Sequence, residues 1–334
     1  MMKTDDARTG SLGNPKEDLK TRLQAELGDA YSIERELPRG GMSRVFVAKE
    51  NALGRQVVIK VLAPELTASL SAERFKRETL LAARLQHPNI VPLLASGMAG
   101  QSLYYTMPLV DGESLRERID RERPMSFANI IRILEEVSSA LAYAHGEGII
   151  HRDIKPENVM FFHGRAVVLD FGIGKALSAA AREEGEGRIT QAGVSLGTPT
   201  YIAPEQAAGD PTLDHRADIY ALGVVAYEMI TGHPPFHGRT PQALMAAHAR
   251  NAPESLNAKR ADVPQHLAGI IMKTLAKAPG DRPSSATEIV HVLTSTASGK
   301  AASSISPFSR VPAWIPWALA AISTTVAIAL ALRR

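Results

Sequence analysis

Short β-branched runs come first along this chain and long helical periods follow them. Val45-Phe46-Val47 and Val57-Val58-Ile59 are compact apolar segments separated by a turn at Asn51–Gly54, the pattern of two strands joined by a hairpin. Residues from about Ala72 to Gln86 read as a helix ended by His87-Pro88. Two further strand-like runs, Ile90–Leu94 and Leu103–Leu109, bracket Gly97–Gly100. Beyond Gly112 the spacing changes: Ile130–Ala144 and Ile219–Ile230 place apolar residues every three or four positions, as helices do. Strands first and helices afterwards predict an α+β domain with two unequal lobes.

The two ends depart from that pattern. Residues 1–30 are polar and read as a tail, with a short helix between Lys16 and Leu27. Thr294 to Ser309 is rich in Ser and Ala with little periodicity, which reads as a linker. From Ala313 to Leu332 the chain runs AWIPWALAAISTTVAIALAL without a charge, and roughly 20 apolar residues match the hydrocarbon thickness of a bilayer. Trp314 and Trp317 at one end and Arg333 and Arg334 at the other suit the two interfaces. The competing reading is a buried core helix, but such helices rarely stay apolar on every side for this long. The expected organisation is a tail over 1–30, a globular domain over 31–294, a juxtamembrane linker over 295–311, a transmembrane helix over 312–332 and a C-terminal tail at 333–334.

Composition narrows the chemistry. The 334 residues suffice for one large two-lobed domain. Lys and Arg number 38 against 35 Asp and Glu, so no global field favours nucleic acid, and no nucleic-acid partner is expected. The absence of cysteine excludes disulfides, thiolate metal sites and a cysteine nucleophile. The N-terminus has no apolar h-region, so no cleavable signal peptide is expected.

Between His151 and Gly172 the sequence is HRDIKPENVMFFHGRAVVLDFG. It supplies Asp153, Lys155 two residues on, Asn158 five residues on, and Asp170 before Phe171 and Gly172. Phosphoryl transfer requires such a set: a carboxylate to accept a hydroxyl proton, oxygen ligands for Mg²⁺ and a cation for the moving phosphate. Each piece alone occurs by chance; the order and spacing together are specific.

With these motifs in place, residues from about Tyr31 to Thr294 resemble a bacterial eukaryotic-type Ser/Thr protein kinase, with the family's motifs in the family's order. The resemblance implies a β-rich N-lobe, a helical C-lobe, ATP as phosphate donor and Mg²⁺, or Mn²⁺ in its place, as cofactor. LPRGGMSRV at 37–45 corresponds to the hairpin over the nucleotide phosphates, where Gly40 and Gly41 let the backbone approach without a Cβ in the way. Pro38 replaces the family's first glycine and Ser43 its third, and Pro38 stiffens the hairpin and removes an N–H. Lys60 is expected to hold the α- and β-phosphates and to pair with Glu78, which shares an inward helical face with Phe75, Leu81, Ala82 and Leu85. Glu73 is the alternative, off the aligned position. Leu37, Val45, Val58 and Met160 are expected around the nucleotide, with Met107, Pro108 and Val110 in the strip that meets adenine. Val58 stands where the family often has alanine, which narrows the pocket slightly.

By the same resemblance Asp153 is the base, Lys155 neutralises the γ-phosphate, and Asn158 and Asp170 are the metal ligands. His151 and Phe171 read as packing residues. Gly172–Glu205 is a long segment with few core residues, which the resemblance makes the activation segment. Thr198 would pack against the catalytic loop, Thr190 sits at a regulatory phosphothreonine position, and Ser195 is a further candidate. Arg152 is placed to pair with a phosphate on that segment. Asp218 resembles the buried aspartate that bonds the catalytic-loop backbone, and Arg282 the partner of Glu205.

The function implied is transfer of the ATP γ-phosphoryl to Ser or Thr hydroxyls of proteins, with autophosphorylation in the activation segment. Lys155, two residues after the base, resembles Ser/Thr rather than Tyr kinases. The alternative is a membrane-tethered pseudokinase acting as a nucleotide-binding scaffold, supported by Pro38 and Ser43 and opposed by the presence of Lys60, Glu78, Asp153, Asn158 and Asp170. A small-molecule kinase shares the base and metal ligands but usually lacks an activation segment ending in Ala-Pro-Glu, present here at 203–205. ATP supply places the kinase domain on the cytoplasmic side of the cell membrane, tail-anchored and single-pass. Ser323, Ala327 and Ala331 form a small-residue stripe suited to pairing two such helices into a homodimer.

Overall fold

The computed structural model describes residues 15–38, 43–63, 67, 71–171 and 199–302. Residues 1–293 form one compact unit and 294–334 a second. The first unit opens with helix α1 (Pro15–Leu27) and a single 3-10 turn at Gly28–Ala30. Strands β1 (Tyr31–Leu37), β2 (Ser43–Glu50) and β3 (Arg55–Leu62) follow, then helix α2 (Ala72–Ala82), β4 (Ala95–Ala99) and β5 (Ser102–Pro108). They form an antiparallel five-stranded sheet in the order β1-β2-β3-β5-β4. Gly54, at φ 66°, closes the turn between β2 and β3 in a conformation that favours glycine.

The central strands are buried on both faces, so they read as continuous apolar runs rather than as alternation. Phe46, Ala48, Val57 and Ile59 pack in one cluster with Leu23 and Leu27 of α1. Leu23 and Leu27, within the stretch that reads as a tail, thus belong to the N-lobe core. Gln24 strengthens the junction: its Oε1 accepts from the Ile33 N–H at 2.8 Å and its Nε2 donates to the Tyr31 carbonyl at 2.8 Å.

Two expected boundaries move. Helix α2 starts at an N-cap, Ser71, whose hydroxyl accepts from the Arg74 N–H, and it stops at Ala82 rather than Gln86. Arg84 and Leu85 donate three residues back, to Leu81 and Ala82, which tightens the chain out of the helix. The run Ile90–Leu94 is not a strand. Ile90 makes only an isolated parallel bridge to Val168, and the strand is the plainer segment Ala95–Ala99. Gly97 explains why: it faces Tyr104 across the ladder, and a Cβ there would lie 2.8 Å from the Tyr104 hydroxyl. A small residue is what lets the aromatic ring lie over β4.

The C-lobe holds α3 (Leu115–Arg121), capped by reciprocal bonds between Ser114 and Glu117, and the long α4 (Phe127–Gly146). A 3-10 turn at Pro156–Asn158 leads into the hairpin β6 (Val159–Phe162) and β7 (Arg165–Val168). Helices α5 (Pro204–Ala207), α6 (Arg216–Thr231), α7 (Pro241–Arg250), α8 (Leu256–Lys259), α9 (Gln265–Thr274) and α10 (Ala286–Ala302) complete the described chain. α6 is buried without interruption from Ala217 to Ile230. Helices α4, α8 and α9 pack against it, and Gly223 lets α9 come close: a Cβ there would sit 1.9 Å from the Thr274 hydroxyl. Helix α10 runs past Thr294 into the stretch read as linker. Among the described residues no helix is long and apolar enough to cross a membrane, and the apolar stretch 312–332 lies outside them.

Candidate active site

The hairpin of β6 and β7 assembles the polar end of the site. Its two-residue turn, His163-Gly164, has positive φ at both positions (47° and 78°), the twist that joins two antiparallel strands tightly. Pairing Val159 with Val168 brings the residues just outside the hairpin together: the Leu169 N–H donates to the Asn158 carbonyl at 2.9 Å. Asn158 and Asp170, the two expected metal ligands, therefore flank the open end of one hairpin.

Asp153 lies on the loop before that hairpin, with its side chain half-exposed. Its Oδ2 accepts from Lys155 Nζ at 2.7 Å and from Asn158 Nδ2 at 3.0 Å. The Asn158 amide also donates to the Asp153 carbonyl at 2.8 Å, which leaves the Asn158 Oδ1 as the atom available to a cation. His151 is fully buried behind the loop. Its Nδ1 accepts from the Asp153 N–H at 3.2 Å, so Nε2 carries the proton and donates to the Leu169 carbonyl at 2.7 Å. The ring meets Phe171 edge-on at 4.7 Å between centroids, a packing role for both.

The loop is held from below by Asp218 on α6. Its Oδ2 accepts from the His151 N–H at 2.8 Å and from His145 Nε2 at 2.8 Å, and its Oδ1 accepts from the Arg152 N–H at 2.7 Å. Burial pushes the Asp218 carboxyl up, but His145 and the backbone N–H groups outweigh it and hold the group below the usual carboxylate range. Arg152 sits at φ 67°, a left-handed conformation that those two consecutive bonds to Asp218 fix in place. Glu205 and Arg282 form a bidentate pair at 2.6 and 2.7 Å.

From the N-lobe, β3 and β5 place Lys60 opposite Tyr105 and Val58 opposite Met107. Lys60 reaches across the cleft to Asp170, with Nζ 2.5 Å from Oδ2, and the Tyr105 hydroxyl donates to Asp170 Oδ1 at 2.7 Å. Burial would raise the Asp170 carboxyl, yet Lys60 and the Tyr105 hydrogen bond hold it below the ordinary range. Lys60 thus makes an ion pair with Asp170, and Glu78 lies buried on the inward face of α2. Two apolar groups line the cleft. Val45, Val58 and Met107 cluster from above with Leu37, and Met160, Val167 and Leu169 cluster from below with Val110. Pro108 ends β5 opposite Val57. Gly40, Gly41, Thr190, Ser195 and Thr198 lie outside the described residues.

Three contributors carry no signal in the sequence. Tyr105 reads as one more aromatic in a strand, and His145 as one polar residue near a helix end. Arg116 is the third: it bonds Glu228 of α6 at 2.8 Å, Glu157 of the catalytic loop at 3.2 Å and the Tyr201 hydroxyl at 2.5 Å. This network ties α3, the catalytic loop and α6 to the segment just before Glu205.

A mixed two-lobed fold with a cation, two oxygen ligands and a loop carboxylate converging on one cleft defines a protein kinase domain. Residues 31–293 match the protein kinase domain family, and the chain belongs to it. Among its relatives, the serine/threonine-protein kinase PknB of Mycolicibacterium smegmatis is 40% identical over 269 residues, covering 79% of this chain and 42% of that protein. The serine/threonine-protein kinase pkn3 of Myxococcus xanthus is 39% identical over 265 residues, covering 77% of this chain and 48% of that protein. The chain therefore spans between two-fifths and one-half of the length of these curated relatives. The solved structure of Rad53 1–466 in complex with AMP-PNP shares the fold, with a TM-score of 0.62 at 23% identity over 78% of this chain and 64% of that one.

Proposed function

We propose that this chain is an active Ser/Thr protein kinase that moves the γ-phosphoryl group of ATP to a Ser or Thr hydroxyl of a protein. The observation that carries the reading is the state of Asp153. Lys155 and Asn158 both grip Oδ2, and among the described residues no donor meets Oδ1, which leaves that oxygen for a hydroxyl proton. The acceptor oxygen forms its bond to phosphorus as the bond to the bridging oxygen of ADP breaks, and the hydroxyl proton goes to Asp153. In this reading Lys155 neutralises the charge that grows on the transferred group, and Lys60 serves the remaining phosphates. Asn158 and Asp170 offer hard oxygens at neighbouring positions, and Mg²⁺ usually takes one or two carboxylates together with substrate phosphates. When bound, the metal neutralises charge on the β- and γ-phosphates.

The decisive experiment incubates the full chain with Mg-ATP and maps its phosphosites. Wild type acquires phosphate on Ser or Thr, and Asp153→Asn acquires none. Absence of phosphate from both would favour the nucleotide-binding scaffold instead. Phosphate on wild type that never falls near Thr190 would reject the regulatory role of that residue and of Arg152, and leave the kinase standing.

The apolar stretch 312–332 supports a second part of the reading: a single-pass membrane anchor that leaves the kinase domain with ATP on the cytoplasmic side. The full chain is expected to stay with membranes through alkaline carbonate extraction, whereas a chain ended at residue 311 is released. Release of both would remove the anchor.

A further inference from the structure

Tyr105 touches the expected metal ligand, and the phosphoryl-transfer chemistry above makes no use of it. Its side chain is 2% exposed and lies across the sheet from Lys60, whose Nζ is 5.9 Å from the ring centroid. Phenylalanine would fill the same space without bringing a hydroxyl that needs a partner in a buried site. The hydroxyl has that partner in Asp170, so the two oxygens of one carboxylate are held by donors from two adjacent strands. Asp170 itself is at φ 65°, a conformation few non-glycine residues adopt. Only two side-chain torsions aim its carboxylate, and these two donors determine both.

We propose that Tyr105 is a positioning residue of the metal site: its hydroxyl fixes the Asp170 carboxylate so that Mg²⁺ and nucleotide meet oxygens already aimed into the cleft. The inference rests on the kinase reading of this site. Each carboxylate oxygen has two lone-pair positions, so Oδ1 keeps one for a cation while it accepts from Tyr105. The two donors differ in a way that matters. The Lys60 ammonium beside Oδ2 repels a second cation, whereas the phenol is neutral and orients Asp170 without opposing the metal. Tyr105 therefore does what an outer-shell hydrogen bond does for a metal-ligating carboxylate.

The test is Tyr105→Phe in the full chain, which keeps the ring and removes only the O–H. Mn²⁺ binding is followed by electron paramagnetic resonance in the presence of a non-hydrolysable ATP analogue. The variant is expected to bind Mn²⁺ about tenfold more weakly, the low end of what losing an outer-shell partner costs a metal site. Its affinity for the same analogue without metal stays at the wild-type value, and its activity recovers when Mg²⁺ is raised. Equal Mn²⁺ affinity in the two proteins overturns the proposal. So does a matching loss of metal-free nucleotide affinity, which would mean a damaged pocket. If wild type binds Mn²⁺ and the analogue, the variant binds Mn²⁺ more weakly and no phosphate is transferred by either, the kinase reading fails while the positioning role stands.

Discussion

Arg282→Met lowers the free energy of unfolding by about 3–5 kcal/mol, the usual cost of removing one member of a buried ion pair. The Arg282 side chain is 0% exposed and the Glu205 side chain 8%. The guanidinium grips both Glu205 oxygens and also donates to the carbonyls of Ala276, Arg216 and Lys277. Methionine fills much of the volume but leaves a buried carboxylate and those carbonyls without their donors. Arg282→Lys recovers little, because one ammonium cannot reproduce a planar fork aimed at several acceptors. Urea unfolding reads the effect as a lower midpoint at unchanged slope. A midpoint equal to wild type would show that the pair contributes nothing to stability. The same pair fastens the end of the activation segment to the C-lobe core, so activity falls in parallel.

Deleting residues 1–30, a cut at the start of the family match, is expected to cost about 3–6 kcal/mol, since each fully buried leucine contributes roughly 1.5–3 kcal/mol. Leu23 is 1% exposed and Leu27 7% exposed, and both pack against Phe46, Ile59 and Val57 from the central strands. The cut also removes the Gln24 bonds to β1 and the Ala30 carbonyl that accepts from the Asn51 N–H. Leu23→Ala isolates the packing part and should cost about 2–5 kcal/mol. Thermal unfolding of the shortened chain against the full one checks the prediction, and coincident transitions would refute it. The domain that folds thus begins well before the domain that the family defines.

The sequence discloses the site better than it discloses the fold around it. Asp153, Lys155, Asn158 and Asp170 are legible because chemistry constrains both their type and their spacing, and the β6–β7 hairpin then gathers them. α1 is half legible. Leu19, Leu23 and Leu27 recur every four residues, yet the helix is polar on average and reads as a tail until the sheet it covers is known. Ile90–Leu94 misleads because an apolar run signals burial and not pairing; those residues are anchored to Val168 and Thr106 without forming a ladder of their own. The contact between Lys60 and Asp170 is the least legible part of the site. Inward placement of Glu78 follows from helical spacing, but the ion pair to Asp170 depends on how the two lobes meet across the cleft, and no local pattern encodes that.

The register of β3 against β5 limits how this domain can change over evolutionary time. Lys60 faces Tyr105, Val58 faces Met107, and side chains alternate between the two sides of the sheet. Gaining or losing one residue inside either strand would turn the nucleotide-facing set outward and the core-facing set inward. These strands can therefore accept exchanges of side chain but not changes of length. Insertions and deletions in the N-lobe sheet should collect at the Asn51–Gly54 and Gly100–Gln101 turns, where one residue more or less leaves both faces as they were.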